Sequence, residues 1–269
     1  MYAGTTIRRG SGKFVGVHQK IDRAARRNIK GFIPKSINFP SIKEILYFEG
    51  NNGPDGIKRK SPSVDEPEHY IDPNNPDVGG LIKLISDHIY NLSEALKSDN
   101  KVRAAFEAAW LAHSVVDGLT PPHHYPVSDK IAELWNGAKN ERDSILNRNV
   151  IFGENLYETL SKNWEYWGPG GVITAHGIFE IGTASAISTE NFKDLKITKR
   201  EITNLQKNGF EALFLESVQK VYKARMFEEL SRTGWTKNYA KKVRTELLPA
   251  MIRMVVLAWY QAIIDTGKN

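Results

Sequence analysis

The sequence has no cysteine among its 269 residues. It therefore contains no disulfide framework, and no thiolate is available as a metal ligand. Any metal site in this chain must be built from histidine, aspartate and glutamate side chains. The remaining composition, 41% hydrophobic and 25% charged residues, is typical of a folded globular protein and excludes a largely disordered chain.

Long hydrophobic runs are also missing. Residues Met1–Gly12 are polar and lack the apolar stretch of a secretory signal. The most apolar segment, Met251–Ile264, is too short to cross a bilayer. We therefore expect a soluble protein without an integral membrane segment, cytoplasmic unless a leader has been removed. Its compartment and its oligomeric state do not follow from the sequence.

Strand-like alternation is almost absent, whereas apolar residues recur at helical spacings of three and four. This pattern predicts an all-α protein. No linker or repeat divides the chain, so we expect a single helical domain over residues 1–269. The predicted helices are Phe14–Ile29, Leu81–Leu96, Val102–Val116, Ile131–Trp135, Glu154–Trp164, Val172–Ala186 and two or three within Lys199–Asp265. The last is predicted to bury one stripe, formed by Leu247, Met251, Met254, Val255, Ala258, Trp259 and Ala262.

Prolines and glycines punctuate residues 34–76, which we expect to be mostly irregular. A long irregular segment is uncommon inside a compact domain and is usually functional or disordered. A metal site would account for it here.

The net charge of +6 favours anionic partners such as phosphate esters, nucleic acid or anionic lipid. This preference acts only through the long-range field. Many of the lysines and arginines fit solvated helix faces, which is the simpler explanation. Charge alone therefore selects no partner.

Three of the seven histidines are followed four residues later by an acid: His18 by Asp22, His113 by Asp117 and His176 by Glu180. On a helix this spacing places both side chains on one face, where they suit a metal ion. A surface histidine beside a surface acid would show the same spacing. The pairs that begin at His113 and His176 lie in strongly apolar surroundings, however, where an unpaired carboxylate is costly.

A bound cation would remove that cost, so the pairs predict a metal centre, with a buried ion pair as the structural alternative. Imidazole and carboxylate ligands suit zinc, and manganese, iron and nickel accept the same ligand types.

The segment from His113 through Asp117 to His123 resembles the central motif of the superfamily that contains bacterial zinc-dependent phospholipase C and the fungal and plant single-strand-specific nucleases. Around it, the segment containing His18 looks like the first helix of that family, and His69-Tyr-Ile-Asp-Pro looks like its His-aromatic-x-Asp motif. Asp55 precedes His69 by fourteen residues, as in the phospholipases, and His176-Gly-Ile-Phe-Glu180 looks like their closing motif. The resemblance covers about residues 14–190.

The resemblance implies two or three zinc ions. One would be held by Asp55, His69 and His113, and a second by Asp117, His123, His176 and Glu180. His18 would belong to a third, sharing Asp117 as a bridge. Family members complete that third site with an N-terminal tryptophan, whereas the first tryptophan here is Trp110, so the third zinc is in question.

Two departures concern the segment after His123. His124 is adjacent, so either histidine could be the ligand, although spacing prefers His123. Residues 127–171 are expected to form an inserted lobe near the mouth of the site, because the gap before His176 is far longer than in the phospholipases. Residues 191–269 are expected to supply additional helices beyond the resemblance.

By resemblance, the expected activity is phospholipase C-like hydrolysis of a phosphodiester by metal-activated water, with Asp55 orienting or deprotonating that water. Gly53-Pro54-Asp55-Gly56 is also a good turn in which the aspartate needs no catalytic role. Asp22 and Asp72 are expected to be structural or to orient ligands. His88 is by default a packed or exposed histidine.

Two alternatives remain open. A single-strand-specific nuclease would stack bases on aromatic side chains beside basic ones; the candidates are Tyr70, Tyr125, Trp164, Tyr166 and Trp167, with Arg142 and Arg148. A non-catalytic helical binding protein would use the metals only for folding energy. The substrate, a phospholipid head group or single-stranded nucleic acid, is not decided by the sequence.

Overall fold

The structure is a computed structural model that describes residues 16–60, 69–125, 134, 151, 153–168 and 171–267. The described residues form α-helices with short 3-10 and π segments and contain no β-strand. The prediction of an all-α protein is therefore confirmed.

Eleven α-helices lie within the described residues. In chain order they are α1 Val17–Ile29, α2 Ile42–Tyr47, α3 Pro54–Lys60, α4 Leu81–Lys97, α5 Lys101–Gly118, α6 Leu156–Trp167, α7 Val172–Ala186, α8 Lys199–Lys223, α9 Met226–Thr233, α10 Lys237–Lys242 and α11 Leu248–Ile264. Short 3-10 helices cover Lys30–Phe32, Gly50–Asn52 and Pro121–His124, and a π-helical turn, Val243–Leu247, joins α10 to α11.

The strongly periodic helices lie where the sequence predicts them, and α7 has the predicted bounds. Two expectations need correction. Residues 34–76 are less irregular than predicted, because Ser41 forms a capping box that starts α2 and Pro54 starts α3. The segment after residue 198 contains four α-helices rather than two or three. Glycine residues and helix caps end helices at points where the apolar periodicity alone predicted that they continue. Within α8, Gly209 has a φ of 77°, and the helix kinks there.

Helix α5 lies at the centre of the molecule, packed against α1, α2, α4 and α11. Its start is fixed by Asn100, whose side chain accepts a hydrogen bond from the Arg103 N–H. Small alanines let neighbouring helices approach it closely. Trp259 of α11 is fully buried and donates from Nε1 to the Ala108 carbonyl at 2.9 Å. This contact joins the last helix directly to the helix that carries His113 and Asp117.

The apolar stripe predicted for the last helix is core. All seven of its residues are buried. The helical stretch Lys237–Ile264 is also the one stretch of the described chain long and apolar enough to cross a membrane, and most of it is buried inside the protein. Burial against α1, α4, α5 and α8 accounts for its apolar composition.

Most of the predicted inserted lobe lies outside the described residues. Within residues 127–171, the structure describes only Leu134, Ile151, residues 153–168 and Gly171. The short helix predicted for residues 131–135 falls outside them as well, apart from Leu134. The predicted helix Glu154–Trp164 corresponds to α6, which begins two residues later because Asn155 caps it by accepting from the Glu158 N–H.

Candidate metal centre

Asp117, near the end of α5, is buried at the centre of a cluster of histidine rings. Its Oδ2 lies 2.5 Å from His69 Nδ1. Three further ring nitrogens approach the same carboxylate: His18 Nε2 at 3.4 Å, His113 Nε2 at 3.2 Å and His123 Nδ1 at 3.5 Å. Four histidines from four separate segments therefore converge on one acid.

The predicted ligands assemble into three groups. In each, one ligand atom from every member lies within 4.8 Å of the others. The groups are His18, His113 and Asp117; Asp55, His69 and His113; and His123, His176 and Glu180. All eight residues singled out in the sequence fall in these groups. The grouping differs from the expected one in two respects: His113 is shared between the first two groups, and Asp117 is absent from the third.

Helical spacing accounts for part of the cluster. His113 and Asp117 are one turn apart on α5, and His176 Nε2 lies 3.1 Å from Glu180 Oε1 on α7. His18 enters from α1, where it is buried on the face that packs against α5. Three helices thus present their ligands toward one point.

Backbone hydrogen bonds bring the remaining histidines to the cluster. The Ile71 N–H donates to the His123 carbonyl at 3.1 Å, which ties the segment after His69 to the 3-10 turn after α5. The His123 N–H in turn donates to the Thr120 carbonyl at 2.8 Å. Because Thr120 directly follows α5, both histidines are held near Asp117.

Asp55 sits in the first turn of α3, rather than in an isolated turn, with its Oδ1 3.7 Å from His113 Nε2. The following residue must be glycine, because a Cβ on Gly56 would collide with the backbone of Gly50 and Asn51. This close approach folds α3 back on the preceding 3-10 turn. The carboxyl of Asp55 is 31% exposed, whereas that of Asp117 is 1% exposed.

The donor set fits divalent metal ions. Two ligands bound tetrahedrally to one ion at about 2.1 Å lie about 3.4 Å apart, close to the separations of Asp117 from His18, His113 and His123. In addition, His18 Nδ1 and His69 Nε2 are buried without a hydrogen-bond partner among the described residues. Buried polar atoms of this kind are costly unless they are satisfied.

Glu49 is a site residue that the sequence did not reveal. It is buried, and its Oε1 lies 3.3 Å from His113 Nδ1, while its Oε2 accepts from the Gly50 N–H at 3.2 Å. A carboxylate on the second ring nitrogen fixes the tautomer and orientation of a ligand histidine. Its surroundings, Phe-Glu-Gly-Asn-Asn-Gly, look like an ordinary turn, so no local signal marks it.

Asp22, one turn after His18, belongs to none of the three groups. Burial raises the pKa of its carboxyl well above the ordinary value, and the negative charge of Glu49 raises it further. The carboxyl of Asp22 therefore holds a proton more readily than an exposed aspartate does, and it lies outside the candidate ligand groups.

The geometry favours His123 over His124 as the ligand. His124 Nε2 donates to the Gly118 carbonyl at 2.8 Å, and burial lowers the pKa of this histidine to about 4. His124 is thus a neutral side chain that ties the turn back to α5. His123 faces Asp117, His176 and Glu180.

His88 and Asp72 lie outside the cluster of candidate ligands. His88 is buried, with its Nδ1 2.5 Å from Glu107 Oε2, and Arg103 pairs with the same acid. This arrangement gives His88 a packing role. Asp72 accepts from the Asn74 N–H at 2.8 Å and stabilises a turn.

Tyr70, Tyr125 and Trp164, the aromatic candidates for base stacking whose side chains the structure describes, lie in different surroundings. Tyr70 lies beside the cluster, with its ring 5.2 Å from that of His123. Tyr125 instead packs on Phe227 at 4.8 Å, and Trp164 is exposed on α6. The side chains of Tyr166 and Trp167, and all of Arg142 and Arg148, lie outside what the structure describes.

Neither a protein-family model nor a curated protein sequence matches the chain. The fold is similar to that of a solved structure, the alpha-toxin of Clostridium perfringens from avian strain SWCP, with a TM-score of 0.62 and 12% sequence identity. The match covers 97% of this chain and 66% of the toxin chain, so this chain spans just under two thirds of that protein. At this identity the likeness concerns the fold.

Proposed function

We propose that this chain is a zinc-dependent phosphodiester hydrolase of the phospholipase C type. The observation that carries the proposal is the convergence of eight histidine and carboxylate side chains, from segments far apart in sequence, into three groups that include the buried Asp117. Closed structural zinc sites use four ligands in one tetrahedron. Three neighbouring groups, each with one carboxylate and two of them sharing His113, are more typical of a hydrolytic centre that leaves coordination positions open.

The proposed division of ligands keeps the first two groups and adds Asp117, 3.5 Å from His123, to the third. Asp55, His69 and His113 would hold one zinc. Asp117, His123, His176 and Glu180 would hold a second, and His18 would join Asp117 and His113 around a third. Bound divalent ions lower the pKa of water and neutralise the charge that builds on phosphate oxygens.

Asp55 is the proposed catalytic residue. Its carboxyl is the most exposed of the three acids that contact His113, so it can meet a substrate that approaches from solvent. At the edge of the cluster it would orient the attacking water and accept its proton. Asp117, which is buried, would bind and space the metals rather than meet the substrate.

The test is turnover of a small soluble phosphodiester, bis(p-nitrophenyl) phosphate, by zinc-loaded protein. Asp55→Asn removes the base but keeps an oxygen ligand, so we expect roughly a 10²–10⁴-fold loss of kcat with the zinc content unchanged. Asp87→Asn, at an exposed acid on α4 that pairs with Lys83, is the matched control and should retain full activity. Zinc-loaded wild type without turnover would refute the hydrolase and leave a metal-stabilised binding protein.

The nuclease remains the second candidate, because Tyr70 lies beside His123 where a base could stack. Parallel assays with phosphatidylcholine and single-stranded DNA separate the two. A phospholipase prefers the lipid and keeps its activity in Tyr70→Leu, whereas a nuclease prefers DNA and loses affinity for it in that variant.

A further inference from the structure

Helix α6 turns an apolar face outward. Four large hydrophobic side chains of this helix are between 63% and 83% exposed: Leu156, Tyr157, Leu160 and Trp164. Three of them recur every four residues and so follow one another along a single face. Isolated exposed hydrophobic residues are ordinary, whereas a continuous stripe marks an interaction surface.

Beside the stripe, two polar side chains of α6 bond to the segment that precedes the helix. Asn163 donates from Nδ2 to the Ile151 carbonyl at 2.7 Å and accepts from the Ile151 N–H at 3.0 Å. Thr159 Oγ1 accepts from the Gly153 N–H at 2.8 Å. These hydrogen bonds join α6 to residues 151 and 153, and the helix packs on α7, while its apolar stripe stays exposed.

The charges on α6 indicate which kind of partner the stripe binds. The exposed positions beside the stripe are Ser161 and Glu165, and the helix's one lysine in the described side chains, Lys162, is mostly buried and pairs with Glu158 at 2.7 Å. Nucleic acid and anionic lipid are both bound chiefly through lysine and arginine. An apolar stripe with tryptophan and tyrosine and without exposed basic charge fits an uncharged interface between water and hydrocarbon.

The stripe belongs to the helix pair that also supplies metal ligands. α6 packs against α7, which carries His176 and Glu180. α7 itself exposes two large apolar side chains near those ligands, Ile178 and Ile181. A partner bound to α6 and α7 would therefore lie close to the candidate metal centre.

We propose that α6 is an interfacial docking helix whose stripe of Leu156, Tyr157, Leu160 and Trp164 inserts into a zwitterionic phospholipid surface. The inference rests on the proposed function, because it supplies a phospholipase with its lipid. The helix would lie parallel to the membrane plane, with its apolar stripe among the acyl chains. The substrate would reach the metal centre from that surface.

The experiment measures binding to phosphatidylcholine vesicles by flotation. It is done in the Asp55→Asn background, so that zinc is retained while hydrolysis is slow. Leu160→Gln combined with Trp164→Gln should weaken binding at least tenfold, since both changes remove apolar area that the bilayer would bury. The matched control is Tyr90→Gln with Val102→Gln, two equally exposed apolar positions on α4 and α5, which should bind as the parent does.

The same pair of changes in the wild-type background should leave turnover of soluble bis(p-nitrophenyl) phosphate unchanged and reduce hydrolysis of vesicle lipid. If wild type hydrolyses neither substrate, the proposed function fails while the flotation result still decides docking.

Four results would overturn the docking proposal. The first is vesicle binding equal to that of the control. The second is a wild-type dimer, seen by light scattering, that the double change dissociates, which would assign the stripe to a second copy. The third is a large drop in the thermal stability of the double variant, which would mean that other residues of the same chain cover the stripe. The fourth is loss of single-stranded DNA binding in place of vesicle binding.

Discussion

The imidazole rings of His18 and His113 stack face to face, with centroids 3.8 Å apart and planes 2° from parallel. Burial lowers the pKa of His18, and the neighbouring His113 lowers it further. Burial would also lower the pKa of His113, but the carboxylates of Asp117, Glu49 and Asp55 outweigh it and raise that pKa well above its ordinary value. Without metal, the stacked pair therefore carries its proton on His113.

This proton makes metal binding depend on pH. A metal ion must displace the proton from His113, so affinity is highest above the raised pKa of this histidine and falls as the pH drops through it. The loss should begin above pH ~6.5, the ordinary value for histidine. Calorimetry in buffers of different ionisation enthalpy should detect proton release when zinc binds near neutral pH. Affinity that does not change between about pH 6 and 8 would contradict this assignment.

Substitutions of the adjacent residues His123 and His124 should have different effects. His123→Asn should lower the zinc content, because this side chain faces Asp117, His176 and Glu180. His124→Asn should keep the zinc but lose about 1–3 kcal/mol of stability, because the Gly118 carbonyl loses its buried donor. Elemental analysis and urea unfolding of both variants measure the difference. The opposite pattern would make His124 the ligand.

Glu49 is expected to act as a positioning residue for His113. Glu49→Gln should weaken zinc binding by roughly 10–100-fold, the usual effect of losing such a carboxylate. Because Glu49 also raises the pKa of His113, the pH at which affinity is lost should move lower in this variant. Chelator competition at several pH values tests both effects. The control is Glu94→Gln, an exposed acid on α4 paired with Lys97; equal affinities in the two variants would show that Glu49 has no such role.

Trp259 should be a main source of stability. Trp259→Ala removes a fully buried ring and its hydrogen bond to Ala108, so we expect a loss of about 3–5 kcal/mol in the free energy of unfolding. Trp164→Ala, at an exposed ring on α6, should change it by less than about 0.5 kcal/mol. Urea denaturation measures both. Similar losses in the two variants would mean that the packing of α11 on α5 is described wrongly.

The sequence predicts the helices well where the apolar period is strong, as in α5 and α7. It also predicts which face carries each histidine. The sequence cannot predict which other helix each of these faces packs against. The pair of His18 and Asp22 illustrates this limit: the spacing is the same as for His113 and Asp117, yet His18 meets Asp117 of α5, and Asp22 belongs to none of the ligand groups.

Long-range contacts account for the rest of the site. Glu49 reaches His113 only because the turn that carries it packs on α5, sixty-four residues later. The exposure of the apolar stripe of α6 could be recognised only from the structure, since the sequence of the helix does not show which of its faces is buried. For the same reason the resemblance was needed to link Asp55 to His69 and His113.

The most direct test of the metal centre is the zinc content of protein purified without added metal. Asp117→Ala removes the acid that four histidines surround, and Asp87→Ala, at an exposed acid on α4, is the matched control. We expect about two or three zinc ions per chain in wild type and control, and a sharp fall in Asp117→Ala with its helical content preserved. Wild-type protein that contains no zinc, and takes up none on titration at neutral pH, would contradict the metal centre and the hydrolase built on it.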